Sequence, residues 1–161
     1  MAALPAGEDV TAVGDSVMVA AEPNLEALLP GISIDAVVGR EVDAGLSVVQ
    51  VLAAENLLRD SVVFELGTNG AFSTEQFDQL IELAGGRRVV VVTNHCDRCS
   101  WTADNNAMIR ENCDATVNCA VADWEELAES HPEFFAADGI HIEIGGDAAQ
   151  ELAELIAAEL H

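Results

Sequence analysis

The chain has 161 residues and carries 29 acidic side chains against six arginines and no lysine, for a formal net charge of −23. A surface this negative repels phosphate backbones and anionic lipid, so we predict no binding to nucleic acid. The lack of lysine excludes both a Walker-type phosphate loop and catalysis through a Schiff base.

Strand-like and helix-like patterns alternate along the sequence. The strands are predicted at 10–14, 33–38, 61–66, 88–94 and 115–120. Helical patterns follow at 16–29, 43–59, 73–84, 101–112, 123–130 and 145–160. Strands of nearly continuous valine, isoleucine and leucine are typical of a parallel sheet that helices cover on both faces. The sequence therefore predicts an α/β fold with an open, doubly wound, five-stranded parallel sheet.

The length and the even spread of hydrophobic residues suit one domain. We predict that this domain spans residues 9–161 and that residues 1–8 form a disordered or tag-derived arm. No apolar run reaches the roughly 18 residues that a membrane span needs, and Met1 begins no secretory signal. If the protein is exported or tethered to a membrane, the segment responsible lies outside this sequence.

Four cysteines, Cys96, Cys99, Cys113 and Cys119, fall within 24 residues. Two disulfides would imply an oxidising compartment, and four cysteines permit three pairings. A zinc site is a second interpretation, although C-x2-C followed by C-x5-C is not a usual spacing for structural zinc. Four reduced thiols are the third. We favour two disulfides and leave their pairing open.

In an open α/β sheet, ligands bind at the carboxyl ends of the strands. Residues suited to chemistry or to tight turns stand at those ends and in one late loop: Gly14, Asp15 and Ser16; Gly39 and Arg40; Gly67, Thr68, Asn69 and Gly70; Asn94 and His95; Asp138 and His141. We predict that they lie on one rim of the fold.

Three of these residues fit nucleophilic catalysis. The Ser16 hydroxyl is a poor nucleophile until a base takes its proton, and that base needs an orienting acid. The D-x-x-H spacing lets Asp138 orient His141 for this role. Donors for a developing oxyanion would be the N–H groups of Ser16 and Gly39 and the side-chain amide of Asn69. The set predicts acyl transfer through a serine, which requires no metal and no cofactor.

Simpler explanations exist for several of the same residues. Asp15 or Ser16 could merely cap the helix that follows. Asn69 could be a turn residue that tolerates left-handed dihedrals. Arg40 could bind an acyl or sugar group, or it could form a salt bridge with a neighbouring acid. Trp101 could line the cleft or pack in the core.

Four short blocks resemble those of the SGNH (GDSL-like) hydrolase family: "GDS" after strand one, a glycine after strand two, "GTNG" after strand three and "DGIH" near the C-terminus. One block is a weak signal, but four in order along nearly the whole chain are specific. The resemblance implies a flavodoxin-like three-layer α/β/α sandwich. By position it implies Ser16 as nucleophile, His141 as base and Asp138 as its partner. It also implies an oxyanion hole made by Ser16, Gly39 and Asn69.

The segments "AVGDSVM", "VGRE" and "GTNG" look like the SGNH domain fused to membrane acyltransferase-3 proteins, a group that includes peptidoglycan O-acetyltransferases of the OatA type. Gly70 departs from the family, which commonly has aspartate there, and Glu41 stands where relatives often carry an uncharged residue. After strand four, "CDRCSW" replaces a "VPRxW"-like segment but keeps Arg98 and Trp101.

The resemblance favours a serine esterase or O-acyltransferase that moves or removes acetyl groups on a cell-envelope glycan. Such a domain would work on the extracellular face of a bacterial membrane, coupled to a membrane acyltransferase that this chain does not contain. The alternative is a non-catalytic module on the same fold that binds a glycan or a partner. The candidate substrate-binding residues are Asp15, Arg40, Thr68, Arg98 and Trp101.

Overall fold

A five-stranded parallel sheet forms the centre of the computed structural model, which describes residues 3–161. Numbered in chain order, the strands are β1 (Val10–Gly14), β2 (Ser33–Ala36), β3 (Ser61–Glu65), β4 (Arg88–Val92) and β5 (Cys119–Ala122). They lie in the order β2-β1-β3-β4-β5, and each neighbouring pair is parallel. The predicted fold class is confirmed.

Helices cover both faces of this sheet. They are α1 (Ser16–Leu28), α2 (Val42–Ala54), α3 (Thr74–Ala84), α4 (Thr102–Asp114), α5 (Trp124–Glu129) and α6 (Asp147–Ala158). The core on one face is built with α1, α5 and α6, and the core on the other with α2, α3 and α4. Within β3, Val63 belongs to the first core, whereas Val62 and Phe64 belong to the second. Both faces are therefore apolar, which explains the continuous hydrophobic runs in the sequence.

Two predicted boundaries differ from the structure by four residues or more, and an asparagine explains each. The sequence pattern extends α2 to residue 59, but the helix ends five residues earlier because Asn56 turns the chain with a φ of 56°. The pattern starts β5 at residue 115, but the strand begins four residues later, directly after Asn118 with a φ of 62°. Asparagine is among the few residues that enter this left-handed region readily.

The end of the predicted N-terminal arm is folded. The first two residues of the arm lie outside the part of the chain that the structure describes. Gly7 and Glu8 begin a short 3-10 helix (Gly7–Asp9), and the Arg59 guanidinium donates to the Gly7 carbonyl at 3.2 Å. A Cβ at Gly7 would lie 2.2 Å from the Leu29 carbonyl oxygen, so this contact requires glycine. The prediction of a disordered arm therefore fails at its last two residues.

All four cysteines are paired. Cys96 is bonded to Cys99 in the loop after β4, and Cys113 in α4 is bonded to Cys119 at the start of β5. The prediction of two disulfides is confirmed, and the pairing that the sequence left open is the local one. The zinc and reduced-thiol interpretations are both wrong for this structure, because no thiol remains free. Within residues 3–161, no helix is long and apolar enough to cross a membrane.

The contact of α2 with the sheet predicts that Gly45→Ala destabilises the protein. An added Cβ would lie 2.0 Å from Cδ1 of Leu66 and 3.4 Å from Phe64, and both side chains are completely buried. Overpacking of this kind costs about 1–3 kcal/mol, which exceeds the roughly 1 kcal/mol gained in helix propensity at most. Thermal unfolding should give Gly45→Ala a lower Tm than Gly70→Ala, whose Cβ meets nothing within 4 Å. Equal Tm values would contradict the prediction.

Candidate active site

The predicted site residues lie at the carboxyl-terminal rim of the sheet. β2 and β3 lie on opposite sides of β1, which makes the end of β1 the switch point where open α/β sheets bind ligands. Ser16 is the first residue of α1, directly beyond β1, and Asn69 lies in the loop after β3. The topology alone therefore places these two residues side by side.

The chain enters α1 through a tight turn that presents Ser16. The carboxylate of Asp15 caps the helix by accepting a hydrogen bond from the Val17 N–H at 2.9 Å. A Cβ at Gly14 would lie 2.5 Å from the Cβ of Met18, so the first turn of the helix can approach the strand only at glycine. The capping interpretation thus applies to Asp15, which leaves the Ser16 hydroxyl available for other contacts.

Three predicted side chains form one hydrogen-bonded row. The Oγ of Ser16 lies 3.2 Å from Nε2 of His141, and Nδ1 of the same imidazole lies 2.5 Å from a carboxylate oxygen of Asp138. The other Asp138 oxygen accepts the N–H groups of Ile140 at 2.9 Å and of His141 at 3.0 Å. The side chain of His141 is 52% exposed and that of Asp138 is 35% exposed, so the row is open to solvent.

The loop that carries His141 is held as a small antiparallel turn. Phe135 pairs with Ile142 across it, and the Ala136 N–H donates to the His141 carbonyl at 2.8 Å. Gly139 closes the turn with a φ of 70°, a conformation that favours glycine. These contacts fix the shape of the turn that carries the imidazole.

Hydrogen bonds keep Asp138 ionised. The His141 side chain, followed by the backbone N–H groups of His141 and Ile140, holds the pKa of the Asp138 carboxyl well below its usual range. Hydrogen bonding to the charged form lowers a carboxyl pKa in this way. A carboxylate beside Nδ1 favours the tautomer in which Nε2 is free to accept the Ser16 proton.

Two of the residues predicted for the oxyanion hole differ in how free they are to bind a ligand. Gly39 has a φ of 77°, and nothing lies within 4 Å of the place where a Cβ would stand, so this turn is open to a ligand. The Asn69 amide donates to the Asp15 carboxylate at 3.3 Å and to the Arg40 carbonyl at 3.1 Å. An oxyanion would have to share one of these N–H groups. Stabilisation of the oxyanion by Gly39 and Asn69 stays a prediction.

Two candidate substrate-binding residues make contacts within the protein. Asp15 is completely buried. Arg40 forms a salt bridge with Asp35 at 2.7 Å and donates to the backbone carbonyls of Asp35 and Gly14. Its side chain is only 9% exposed. The salt bridge that the sequence allows for Arg40 is present, and substrate binding by Asp15 and Arg40 stays a prediction.

The remaining candidates for substrate binding lie in the loop after β4, which contains the Cys96–Cys99 disulfide, or in contact with it. The Trp101 indole N–H donates to the Gly67 carbonyl at 3.1 Å, and Sγ of Cys99 lies 4.0 Å from the Thr68 carbonyl. The loop after β4 is therefore fastened to the loop that carries Asn69. Arg98 is exposed and makes no hydrogen bond or ion pair within residues 3–161. Substrate binding by Thr68, Arg98 and Trp101 remains a prediction.

One buried carboxyl went unnoticed in the sequence. Glu65, the last residue of β3, is 2% exposed and stands beside Gly14 in the pairing of β1 with β3. The only signal for it is a single acid inside the apolar run "SVVFEL".

No group of three or more histidine, cysteine or acidic side chains is arranged to hold a metal in the part of the chain that is described.

Comparisons with known proteins found similar folds and similar sequences. No protein-family model matches the sequence. The fold is similar to the C-terminal catalytic domain of the Streptococcus pneumoniae peptidoglycan O-acetyltransferase OatA, with a TM-score of 0.86, 24% identity and coverage of 98% of this chain and 94% of that one. It is also similar to a GDSL-like lipase of Bacteroides thetaiotaomicron, with a TM-score of 0.65, 17% identity and coverage of 96% and 89%.

The chain also resembles curated proteins in sequence. The chain is 33% identical over 135 residues to the peptidoglycan O-acetyltransferase OatA of Listeria monocytogenes. The fold of this chain is that of the SGNH (GDSL-like) hydrolases. The match covers 84% of this chain but only 21% of that relative. The three-layer SGNH fold that the four sequence blocks imply is confirmed.

Proposed function

We propose that this SGNH domain is a serine O-acyltransferase or esterase that works through an acyl-serine at Ser16. The proposal depends on one observation, the row that joins Ser16 to Nε2 of His141 at 3.2 Å and Nδ1 of His141 to Asp138. A serine becomes nucleophilic when a base so oriented takes its proton. Similarity to OatA of Listeria monocytogenes supports acetyl as the acyl group and a cell-envelope glycan as its carrier.

The geometry accounts for both halves of the reaction. His141 takes the Ser16 proton while the serine oxygen attacks the ester carbon, and the oxyanion accepts hydrogen bonds from the Ser16 and Gly39 N–H groups and from Asn69. His141 then gives the proton to the departing alcohol, the ester C–O bond breaks, and an acyl-serine remains. In the second half, His141 takes the proton of an acceptor hydroxyl while that oxygen attacks the acyl carbon. The bond from this carbon to the Ser16 oxygen then breaks, and His141 returns the proton to Ser16. Asp138 stays ionised throughout and stabilises the imidazolium.

The acceptor decides between hydrolase and transferase. The half-exposed His141 imidazole is accessible to water and to a hydroxyl on a long glycan strand. We favour transfer, because the sequence relative is an O-acetyltransferase. The chain spans about a fifth of that relative's length, and we propose that a membrane acyltransferase outside this chain supplies the acetyl group. The two disulfides favour a place outside the cytoplasm, in the cell envelope.

Mass spectrometry of the intact protein tests the proposal directly. Brief exposure to an activated acetyl ester should add one acetyl group to the wild-type chain, and peptide mapping should place it on Ser16. The adduct should disappear faster when a peptidoglycan fragment is present than in buffer alone. Equal loss with and without the glycan would make the protein an esterase. No adduct on Ser16 and no ester turnover would overturn acyl-serine catalysis altogether.

Activity should fall as the solution becomes acidic. A protonated His141 cannot accept the Ser16 proton, so kcat/KM for an acetyl ester should drop when pH is lowered from about 8 to about 5. Asp138 does not cause this loss, because its pKa lies well below that range. A rate profile that is flat across these pH values would exclude His141 as the base. Far-ultraviolet circular dichroism at each pH controls for unfolding.

The non-catalytic alternative makes the opposite prediction. A module that only binds a glycan or a partner has no need of a serine, an imidazole and a carboxylate in hydrogen-bonding order. It would bind peptidoglycan fragments without forming an adduct at Ser16. The same mass measurement therefore separates the two functions.

A further inference from the structure

Two buried carboxyl groups lie together beneath the nucleophile. Glu65 is 2% exposed and Asp15 is completely buried. The Asp15 N–H points at Oε2 of Glu65 at 3.4 Å. Oε1 of Glu65 is buried without any hydrogen-bond partner. A buried, unpartnered carboxylate oxygen is costly, whereas a protonated carboxyl loses much less by burial.

Asp15 connects the two halves of the proposed catalytic site. One of its carboxylate oxygens caps α1 through the Val17 N–H at 2.9 Å, immediately after Ser16. The other accepts the Asn69 amide at 3.3 Å. Both contacts require a negative or at least an accepting Asp15. Any group that fixes the Asp15 carboxylate therefore also fixes the nucleophile and the Asn69 amide relative to each other.

The surrounding charges favour placing the proton on Glu65. Burial, followed by the negative charge of Asp15, raises the pKa of Glu65 well above its usual range. Burial also raises the pKa of Asp15, but the hydrogen bond from the Val17 N–H opposes that rise. Across the turn, the Arg40 guanidinium donates to the carbonyl of Gly14, the residue before Asp15, at 3.3 Å and adds positive potential at this turn.

We propose that Glu65 is a positioning residue: in its protonated form it donates a hydrogen bond to Asp15 and thereby holds Ser16 and Asn69 in the geometry that acyl transfer needs. It touches no reacting atom. The inference rests on the proposed function, because positioning matters only if Ser16 reacts. Loss of the Glu65 proton places two negative charges side by side in the core and disturbs both contacts of Asp15.

Glu65→Gln and Glu65→Leu separate this role from simple packing. A glutamine amide donates to Asp15 as the protonated acid does but cannot ionise, whereas leucine fills space and donates nothing. We expect Glu65→Gln to keep kcat for an acetyl ester within about threefold of wild type, and Glu65→Leu to lower kcat by about tenfold or more with little change in KM. Glu82→Gln, an exposed position on α3, is the matched control and should behave as wild type.

The pH profiles provide the decisive readout. Wild-type kcat should decline on the alkaline side as Glu65 ionises, and that decline should be absent or shifted to higher pH in Glu65→Gln but unchanged in Glu82→Gln. Equal kcat losses in Glu65→Gln and Glu65→Leu would overturn the proposal. An alkaline decline in Glu65→Gln identical to that of wild type would also overturn it.

A stability measurement tests the protonation of Glu65 without using activity. A carboxyl whose pKa is raised on folding stabilises the folded state fully below its unfolded pKa, and this stabilisation is lost as pH rises through the folded pKa. Relative to Glu65→Gln, wild type should therefore lose Tm as pH rises above the range in which an ordinary glutamate ionises. A constant Tm difference would mean that Glu65 is ionised throughout and would sink the inference. If this shift is seen but no variant turns over an ester, the proposed function fails while the protonated pair stands.

Discussion

Ser16→Ala should lower the turnover of a short-chain nitrophenyl acetate by at least about 10³-fold and leave the fold unchanged. The only hydrogen bond of the Ser16 hydroxyl within residues 3–161 is the one to His141 at 3.2 Å. The start of α1 does not depend on that hydroxyl, because Asp15 caps the helix. Alanine therefore removes the nucleophile without removing a structural contact. The measurement is kcat/KM together with thermal unfolding.

Ser130→Ala is the matched control for this variant. Ser130 is an exposed residue at the end of α5, and its hydroxyl reaches only the Glu126 carbonyl at 3.5 Å. The Ser130→Ala variant should retain full esterase activity. Ser16→Ala should also fail to acquire an acetyl group in the intact-mass experiment. Activity within about tenfold of wild type would show that another group attacks the ester, since loss of a catalytic triad member normally costs several powers of ten.

The sequence predicts the sheet and its helices better than it predicts where they end. Continuous apolar runs reveal buried parallel strands, because helices on both faces leave no solvent-facing positions. The end of α2 and the start of β5 depend instead on single asparagines, Asn56 and Asn118, that adopt left-handed conformations. Nothing local in "AAENLL" or "ATVNCA" separates those asparagines from ordinary surface residues. Contacts with the rest of the fold therefore determine which asparagine adopts the left-handed conformation.

In the candidate site too, residues within short motifs could be predicted from the sequence, whereas a contact between distant parts of the chain could not. Ser16, His141 and Asp138 could be predicted because their spacing matches a reaction and because the four family blocks occur in order. Glu65 could not, because it lies 50 positions from Asp15 in the chain and meets it only through the register in which β3 pairs with β1. Side chains at strand ends face solvent, ligand or core according to that register.

The same reasoning applies to two of the candidate substrate-binding residues. Asp15 and Arg40 carry charges at the rim, and in a sequence such residues are hard to distinguish from ligand-binding ones. In the structure the Arg40 guanidinium turns back onto the Asp35 carboxylate and the carbonyl at the end of β1. Asp15 turns inward to the helix N-terminus and to Asn69. Both charges organise the turn that presents Ser16 rather than its substrate.

Asp138→Asn should lower kcat by about 10³–10⁴-fold while the loop keeps its shape. The side-chain carbonyl oxygen of the substituted asparagine could still accept the N–H groups of Ile140 and His141, which bind one oxygen of Asp138 at 2.9 and 3.0 Å. The amide nitrogen would face Nδ1 of His141 and donate to it. The imidazole would then carry its proton on Nε2, directed at Ser16, and could no longer act as a base.

Asp78→Asn, at an exposed position on α3, is the control and should match wild type in kcat and Tm. The variant Asp138→Asn should also lose stability relative to wild type above the range in which the Asp138 carboxyl ionises. A depressed carboxyl pKa stabilises the fold at higher pH, and this stabilisation disappears as pH falls through the folded value. A kcat for Asp138→Asn within about tenfold of wild type would mean that hydrogen bonds from the turn alone orient His141, and the carboxylate would then have no part in proton transfer.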